Sequence, residues 1–489
     1  MDKNLKALSP AAVWKHFERI AAIPHPSHHE EKIRRYILDF AVEHGLEHVE
    51  DEAHNVYIRK PATKGMENRK GIIMQAHLDM VPQKNNDKQF DFENDPIEAY
   101  IDGEWVTANG TTLGADNGIG VAAALAVLED ENLEHGDIEA LFTATEETGM
   151  DGAFGLKAGL LKGEILLNLD SETEGELYVG CAGGLDANIE FKYAEQAIEP
   201  VFAAYRLSVK GLKGGHSGIQ IVCQRANANK LLFRLLRQES LSYGLELASV
   251  DGGGLRNAIP REATAVVVMR EENAPMFEAN VRSFEAVVRR EFAQVEDSIS
   301  ITAEKIECPT AVIPRKTASD LVRAVCGCPN GVIYMSKSME GLVQTSSNLA
   351  RVVSDGSTIR IQCLLRSSVD TQKAELAGAI ASVFELAGAE VRMEGAYSGW
   401  NPDMSSPILH TMIASYEALY GVEPSVTAIH AGLECGIIGA KYPGMDMISF
   451  GPTICYPHSP DEKVEIASVG KFYDFLVHTL ANVPEKQSV

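Results

Sequence analysis

The sequence predicts an α/β protein in which a mixed, largely parallel sheet flanked by helices is interrupted by an inserted α+β domain. Two observations support this fold class. Apolar, strand-like runs alternate with helical patterns over residues 1–184, which is typical of sheets built from β-α-β units. Residues 185–398 instead hold amphipathic strands and helices without acidic pairs, and the first pattern resumes in residues 399–489.

The length of the chain agrees with this division. Its 489 residues exceed what a single hydrophobic core usually holds, so two or more domains are expected. We expect residues 1–184 and 399–489 to form one domain in two segments, with residues 185–398 inserted between them as a second domain.

Local signals mark the elements of the first domain. Ser9-Pro10 predicts a helix that continues to about Ile20. The S-x-x-E pattern at residues 27–30 fits a capping box for a helix that ends before Gly45. Strands are predicted over residues 55–58, 71–76, 138–144, 165–169 and 445–450, and a buried helix over residues 119–128.

The inserted domain contains a faint internal repeat. A strand at 263–269, Arg270 and a helix over 276–292 correspond to a strand at 358–365, Arg366 and a helix over 372–387. Asn257 and Asn348 begin the segments that lead into the two strands. We interpret the domain as two similar halves, and the alternative is a chance alignment of two unrelated α+β stretches.

Composition and charge narrow the class of protein. With 44 Lys and Arg against 69 Asp and Glu, the formal net charge is −25, which argues against nucleic acid and anionic membranes as partners. The first residues lack the apolar stretch of a signal peptide, and no apolar run is long enough for a membrane span. The 8 cysteines are dispersed, as in proteins of a reducing compartment, so we expect a cytoplasmic location.

Most side chains of metal-ligand type lie where predicted strands end. They are His77, Asp79, Asp116, Glu146, Glu147, Asp170 and His458. In parallel sheets, ligands bind at the carboxyl ends of the strands. Imidazole and carboxylate donors without thiolate suit Zn²⁺, with Co²⁺ or Mn²⁺ possible, and two such ions with a water indicate hydrolysis.

Spacing suggests roles for some of these residues. Asp79 follows His77 by two positions, so on a strand-like backbone its carboxylate can accept the second ring N–H of His77. One of the adjacent residues Glu146 and Glu147 can bind a metal while the other acts as general base. Each feature alone has a plainer interpretation, because a glutamate pair usually lies on a solvated surface and Asp170 could cap a helix.

Several longer segments, in one order along the chain, resemble a known family. They are 74–82 (MQAHLDMVP), 112–118 (TLGADNG), 145–149 (TEETG), 168–170 (NLD), 213–218 (KGGHSG), 256–260 (RNAIP), 430–436 (HAGLECG) and 457–462 (PHSPDE). They resemble the dinuclear-zinc aminoacylase/dipeptidase superfamily, and within it the bacterial aminoacyl-histidine (Xaa-His) dipeptidases. The resemblance runs from residue 74 to residue 462 and so covers most of the chain.

The resemblance implies a metal-binding role for five residues. His77 and Asp170 would bind one zinc ion, Glu147 and His458 would bind the other, and Asp116 would bridge the two.

It also implies roles around the metals. Glu146 would be the general base, and Asp79 would orient His77. His216 would reach from a lid domain, the inserted residues 185–398, to stabilise the oxyanion.

Three further residues would bind the substrate. Asn257 and Arg366 would hold the C-terminal carboxylate of the peptide, and Glu434 would lie near its free amino group. The alternatives are a turn residue for Asn257, a structural ion pair for Arg366 and a surface position for Glu434.

The function implied by the resemblance is metal-dependent hydrolysis of dipeptides with a free amino terminus. These dipeptides include Xaa-His, such as Gly-His and β-Ala-His. A zinc-bound water that Glu146 activates would attack the peptide bond. A homodimer with two zinc ions per subunit is expected. A tripeptidase or an N-acyl amino-acid deacylase on the same scaffold is the nearest alternative, and a non-catalytic peptide-binding protein is a remote one. The side-chain preference, the metal used in the cell, the choice between monomer and dimer, and the subunit whose site receives His216 stay open.

Overall fold

The structure, a computed structural model, describes residues 4–198 and 202–486 and contains two compact units. The first unit comprises Met1–Gly180, Pro402–Ala428 and Leu433–Val489, and the second comprises Cys181–Asn401 and Ile429–Gly432. Residues 429–432 belong to the second unit, unlike in the division expected from the sequence. The amide of Ala182 explains this, because it donates to the carbonyls of Ile429 at 3.1 Å and Ala431 at 2.9 Å.

The helices and strands follow one another in chain order. The α-helices are α1 (Ala11–Ala21), α2 (Glu31–Glu43), α3 (Ala115–Glu129), α4 (Asp151–Gly155), α5 (Ala228–Tyr243), α6 (Ala274–Glu291), α7 (Arg315–Gly327), α8 (Asp370–Leu386), α9 (Pro407–Tyr420), α10 (Glu434–Lys441) and α11 (Ile466–Ala481). The strands before residue 182 are β1 (Glu47–Glu50), β2 (Val56–Lys60), β3 (Ile72–His77), β4 (Ala99–Asp102), β5 (Trp105–Ala108), β6 (Ile138–Thr143), β7 (Ile165–Asn168) and β8 (Glu176–Cys181). The strands of residues 183–397 are β9 (Gly183–Lys192), β10 (Gln196–Ala197), β11 (Phe202–Lys210), β12 (Gly215–His216), β13 (Glu246–Gly252), β14 (Ala258–Ile259), β15 (Ala263–Arg270), β16 (Ser300–Ile306), β17 (Ala311–Val312), β18 (Gly331–Met335), β19 (Val343–Ser354), β20 (Thr358–Ser367) and β21 (Glu390–Tyr397). The last strands are β22 (Ser425–Ile429), β23 (Asp446–Ser449), β24 (Ile454–Cys455) and β25 (Lys463–Glu465).

The main sheet of the first unit has the strand order β1-β2-β6-β3-β7-β23-β8-β22. Its central strands β6, β3, β7 and β23 run parallel, whereas β2 and β8 join them antiparallel. Every residue of β3, β6 and β7 is buried, as parallel strands usually are. The predicted α/β class with a mixed sheet is therefore confirmed, and its parallel part forms the centre.

Helix α3 is the buried helix of the first unit, and it begins earlier than predicted. Its residues from Ala115 to Leu128 are all buried. The turn before it needs Gly114, which has φ of 72° and would place a Cβ only 3.1 Å from the sulfur of Met80. This tight turn holds Asp116 at the start of the helix, beside the end of β3.

The capping-box prediction at residues 27–30 is wrong. Helix α2 begins at Glu31, and the hydroxyl of Ser27 donates to Asp79 Oδ2 at 2.7 Å instead of capping it. Glu30 Oε1 accepts from the amide and the hydroxyl of Thr145 at 3.1 and 2.8 Å. Both polar side chains therefore stabilise loops at the carboxyl edge of the sheet.

The second unit is an antiparallel sheet packed with helices. Its strand order is β16-β11-β15-β13-β19-β20-β9-β21, with β18 also paired to β19. The two ends of this sheet are arranged alike, with β16-β11-β15 at one end and β20-β9-β21 at the other. In the chain, β15, α6 and β16 follow one another as β20, α8 and β21 do. Asn348 was expected before a strand, but it lies inside β19. The core includes Phe233, Phe277 and Phe384, all fully buried.

None of the helices in the described ranges combines the length and the apolar character that a membrane crossing requires.

Candidate metal centre

His77 is the last residue of β3 and is almost fully buried. Its Nε2 atom lies 3.1 Å from Asp116 Oδ1 and 3.2 Å from Asp170 Oδ1. Its Nδ1 atom lies 3.0 Å from the backbone oxygen of Asp79 and 3.4 Å from the carboxylate of the same residue. Asp79 therefore fixes the ring of His77 through Nδ1, and Nε2 points toward the two carboxylates.

Asp79 has more partners than the sequence predicts. Its carboxylate accepts from the amides of Glu146 at 2.9 Å and Glu147 at 3.2 Å, besides the hydroxyl of Ser27. Burial opposes its charge, but the bonds and the charge of His77 lower the pKa of Asp79 to about 2. Asp79 thus stays ionised and fixes the glutamate pair beside His77.

Asp116 lies between two imidazoles. Its Oδ2 atom is 3.2 Å from Nε2 of His458, while Oδ1 faces His77. His458 Nε2 is also 2.9 Å from Glu147 Oε2. The peptide bond between Asp116 and Asn117 is cis, and His458 has φ of 59°.

These contacts define two overlapping sets of possible ligands. The sets are His77 with Asp116 and Asp170, and Asp116 with Glu147 and His458, each with donor atoms within 4.8 Å of one another. Glu146 joins His77 and Glu147 in a third set at the same spacing. Asp116 is the only residue common to the first two, so it occupies the position of a bridge.

The donor set fits divalent metal ions. Glu147 Oε1 is a buried oxygen without a hydrogen-bond partner among the described residues, and Asp170 Oδ1 shares the Nε2 atom of His77 with Asp116. Unsatisfied buried carboxylate oxygens are costly, and a cation removes that cost. Nitrogen and oxygen donors without sulfur are typical of zinc, cobalt and manganese sites.

The carboxylate and imidazole charges perturb one another strongly. Burial raises the pKa of Asp170 to about 6. Hydrogen bonds that His458 donates to Asp116 and Glu147 raise the pKa of His458 to about 11. At His77, burial lowers the pKa, but Asp170, Asp116 and Asp79 outweigh burial and raise it. The site thus holds excess negative charge that protons or metal ions must balance.

Glu146 lies next to this cluster and is partly buried. Burial raises its pKa well above the usual range, and the nearby carboxylates of Asp170, Glu434 and Glu147 add to this effect. A raised pKa suits a group that takes a proton and then returns it near neutral pH.

Glu434 begins α10 and is buried in a polar network that the sequence analysis missed. Its Oε2 atom accepts from Gln75 Nε2 at 2.6 Å and from the hydroxyl of Thr143 at 2.8 Å. Its Oε1 atom has no hydrogen-bond partner among the described residues, and burial raises its pKa to about 7. A glutamine in the otherwise apolar strand 72–76 was the available signal, because a buried amide needs a polar partner.

Glu462 was also missed as a functional candidate, although it lies in the PHSPDE segment. Its carboxylate binds the backbone amides of the turn that carries Asp116, and burial raises its pKa to about 7.

His216, Asn257 and Arg366 lie in the second unit. The Nδ1 atom of His216 accepts from the amides of Gly218 at 3.2 Å and Ile219 at 3.1 Å, so the proton is on Nε2. Burial and Arg366 lower the pKa of His216, which keeps the ring neutral. A Cβ on Gly218 would lie 2.3 Å from the carbonyl oxygen of His430, so this approach requires glycine.

Arg366 is buried at the end of β20 and has few partners. It donates to the hydroxyl of Tyr397 at 3.2 Å, while its Nε atom has no hydrogen-bond partner among the described residues. His430 was missed in this cluster, and it lies 2.7 Å from the hydroxyl of Ser346. Burial and Arg366 lower the pKa of His430 to about 3.

Asn257 lies in an exposed turn next to β14, the strand that pairs with the strand of His216. Its backbone oxygen accepts from the amide of Ser217 at 2.8 Å. Asn348 holds this turn by donating to the carbonyls of Arg256 and Ala258 at 3.0 and 2.8 Å. The turn is therefore fixed, and the Asn257 side chain is free to reach solvent.

Comparisons with known proteins place this chain in a family. The model of peptidase family M20/M25/M40 matches residues 73–482. The cytosol non-specific dipeptidase of Escherichia coli (strain K12) is 47% identical over 99% of this chain and 100% of its own length. The crystal structure of aminoacylhistidine dipeptidase from Vibrio alginolyticus shares 48% identity with a TM-score of 0.95 over 99% of both chains. Aminopeptidase PepT from Bacillus cereus ATCC 10987 shares the fold, with a TM-score of 0.58 at 15% identity over 97% of this chain and 99% of its own. The chain therefore belongs to peptidase family M20/M25/M40.

Proposed function

We propose that this chain is a metal-dependent dipeptidase that cleaves dipeptides with a free amino terminus, Xaa-His included. The observation that carries the proposal is the position of Asp116 between His77 and His458, each beside a further carboxylate. The names of the relatives from Escherichia coli and Vibrio alginolyticus support the substrate class.

Two zinc ions per subunit are the proposed cofactor, with cobalt or manganese as substitutes. His77 and Asp170 would hold one ion, Glu147 and His458 the other, and Asp116 both. When bound, the ions would polarise the peptide carbonyl and lower the pKa of a coordinated water.

Glu146 is the proposed general base. Its carboxylate accepts a proton from the attacking water and passes the proton to the amine that leaves. Asp79 supports this step because it binds the amide of Glu146 and holds the side chain in place. A carboxylate whose pKa is raised by burial is a stronger base than an exposed one, so it accepts the proton of the water more readily.

Residues of the second unit are proposed to recognise the substrate. The Nε2–H of His216 donates to the oxyanion that forms at the carbonyl, in its own subunit or in the partner of a homodimer. The guanidinium of Arg366 binds the C-terminal carboxylate, since a guanidinium matches a carboxylate with two parallel hydrogen bonds. Asn257 assists from its exposed turn.

Glu434 favours a free amine over an acylated one. Its buried Oε1 atom has no hydrogen-bond partner in the part of the chain that the structure describes, and an ammonium group would satisfy it by both charge and hydrogen bonding. An N-acyl group offers neither a charge nor the same number of donors. This argues for a dipeptidase rather than for a deacylase. A cytoplasmic location is part of the proposal and rests on the name of the E. coli relative.

A panel of substrates tests the proposal. Gly-His, β-Ala-His, Gly-Gly-His and N-acetyl-Gly-His are compared before chelation, after chelation and after Zn²⁺ is restored. We expect the two dipeptides to be cleaved fastest, with activity lost on chelation and restored by Zn²⁺. Activity that survives removal of all metal contradicts the metal site, and preference for the acetylated or longer peptide contradicts the substrate class.

A further inference from the structure

Glu462 makes an unusual set of hydrogen bonds. Its Oε2 atom accepts from the amides of Leu113 at 2.7 Å and Gly114 at 3.0 Å. Its Oε1 atom accepts from the amides of Ala115 at 2.8 Å and Asp116 at 3.3 Å. The residue is only 2% exposed, so the four consecutive amides replace water around the carboxylate. Both oxygens act only as acceptors, an arrangement that a carboxylate satisfies with both oxygens and a glutamine amide cannot.

The two segments that Glu462 connects each carry a candidate metal ligand. Asp116, the last of the four amides, places its two carboxylate oxygens beside His77 and His458. Glu462 follows His458 by four residues in the same loop. The carboxylate therefore joins the turn of one candidate ligand to the loop of another.

Glu462 is itself fixed to the scaffold. Its backbone oxygen accepts from the hydroxyl of Thr107 in β5 at 2.8 Å, and its amide donates to Ser459 at 3.0 Å. The next residue, Lys463, begins β25, which pairs with β5. The turn at Asp116 is thus held against a sheet rather than against a mobile loop.

We propose that Glu462 is a positioning residue that sets the separation of Asp116 and His458 and thereby the affinity for the metal ion these two residues share. It does so without touching the metal or the substrate. The inference rests on the metal ligands of the proposed function and deepens it. Outer partners of metal ligands typically change metal affinity by about 10- to 100-fold when they are removed.

The variant Glu462→Gln isolates this role because glutamine has nearly the same size. Its NH₂ group would face two backbone amides, so two acceptor contacts become contacts between donors. We expect the turn at residues 113–116 to shift away from the loop of His458 and to weaken one metal position more than the other.

Glu139 provides a matched control in the same unit. It is buried and accepts from the amides of Lys162 at 2.7 Å and Gly163 at 2.8 Å, and it pairs with Arg59 at 3.0 Å. It lies in β6 next to the first residue of that strand, whereas the candidate metal centre lies beyond the last residue. Glu139→Gln therefore removes a comparable backbone contact without reaching a metal ligand.

The experiment measures Zn²⁺ binding to metal-free protein by competition with a chromophoric chelator, with Co²⁺ absorption as a second probe. Thermal unfolding of each metal-free variant measures structural damage separately. We expect E462Q to lose about 10- to 100-fold in affinity for one Zn²⁺ equivalent and E139Q to keep the affinity of the parent protein. Excess Zn²⁺ should restore much of the activity of E462Q, which a purely structural lesion would not allow.

Unchanged Zn²⁺ affinity in folded E462Q overturns the inference, and so does an equal loss in E462Q and E139Q. If E462Q does not fold, Glu462→Asp is measured in the same way. The aspartate keeps both acceptor oxygens but is shorter, so a smaller loss confined to one equivalent supports the inference and no loss overturns it. Failure of the parent protein to bind metal would instead contradict the proposed function.

Discussion

The two units carry clusters of opposite electrostatic character. The metal cluster of the first unit, His77, Asp116, Glu147, Asp170 and His458, has more carboxylates than imidazoles and leaves Oε1 of Glu147 without a hydrogen-bond partner among the described residues. The basic cluster of the second unit, His216, Arg366 and His430, contains a buried guanidinium with no carboxylate in ion-pair distance among the described residues. The first cluster has an excess of carboxylates that a metal cation would balance, and the second has an excess of positive charge that an anion would balance.

This difference matters because a buried charge without a partner is destabilising. A protein of net charge −25 could easily supply a carboxylate for Arg366, yet a tyrosine hydroxyl lies there instead. Each cluster therefore keeps a binding capacity that the folded chain does not use. Metal ions suit the first cluster, and the carboxylate of a peptide suits the second.

Asp116→Asn should have the largest effect, because it changes the residue shared by both ligand sets. An amide carries no charge and bridges metal ions poorly, so metal content and activity should both fall. We expect kcat/KM to drop by about 1,000-fold or more, since loss of several kcal/mol of metal stabilisation corresponds to at least that factor. Metal analysis and peptide assays measure the two effects. Full metal content with full activity would remove Asp116 from the centre.

Glu146→Gln should separate metal binding from proton transfer. We expect kcat to fall by about 100- to 10,000-fold, the usual contribution of a general base, while metal content stays at the parent level. Glu147→Gln is the neighbouring contrast, and it should lose metal as well as activity. The assignment is reversed if Glu146→Gln loses metal and Glu147→Gln does not.

His216→Ala tests whether His216, a member of the basic cluster, donates to the oxyanion. Loss of one donor to an oxyanion costs about 100- to 1,000-fold in kcat in other acyl-transfer enzymes. KM should change much less, because the oxyanion forms only in the transition state. His478→Ala, near the end of α11, serves as a control. A large rise in KM with unchanged kcat would place His216 in ground-state binding instead.

Arg366→Ala should reduce kcat/KM by about 10- to 150-fold, the range for one hydrogen bond to a charged group. The loss should disappear with a dipeptide amide, which has no C-terminal carboxylate. Arg360→Ala is the matched control, because Arg360 lies on the same strand but is exposed and paired with Asp355 at 2.7 Å. An equal loss on the amide substrate would show that Arg366 does not bind the carboxylate.

His430 should make the stability of the protein depend on pH. Its pKa is lowered to about 3 in the folded state, against an unfolded value of about 6.5, so the unfolded state binds the proton first. The free energy of unfolding should therefore be highest above pH 6.5 and fall as pH decreases toward 3, by at most about 1.4 kcal/mol per pH unit. Urea unfolding of the parent and His430→Gln at pH 7 and pH 5 measures this. The fall between the two pH values should be smaller by about 2 kcal/mol in the variant, and an identical fall would exclude His430 as the cause.

The candidate metal ligands were easier to predict from the sequence than the residues that position them, such as Ser27 and Glu462. His77 and Asp170 end or follow buried apolar strands, a local signal that does not depend on distant residues. The roles of Ser27 and Glu462 depend on partners 52 and about 350 positions away in the chain. Ser27 even matched a helix-capping pattern, but its hydroxyl donates to the ionised carboxylate of Asp79. A hydrogen bond to an ionised group is stronger than the neutral hydrogen bond that a helix cap would make.

The α/β class, the ends of the parallel strands and a set of candidate ligands could be predicted from the sequence. These follow from the alternation of apolar residues and from residue chemistry, which are local properties. Only the folded chain shows which oxygen faces which nitrogen and that Nε2 of His216 carries the proton. Arg366 and Glu434 each keep one atom without a hydrogen-bond partner among the residues described. Tertiary structure also joined residues 429–432 to the second unit. Those outcomes depend on burial and on hydrogen bonds between residues far apart in the chain, because only the folded protein excludes the water that would otherwise satisfy each group.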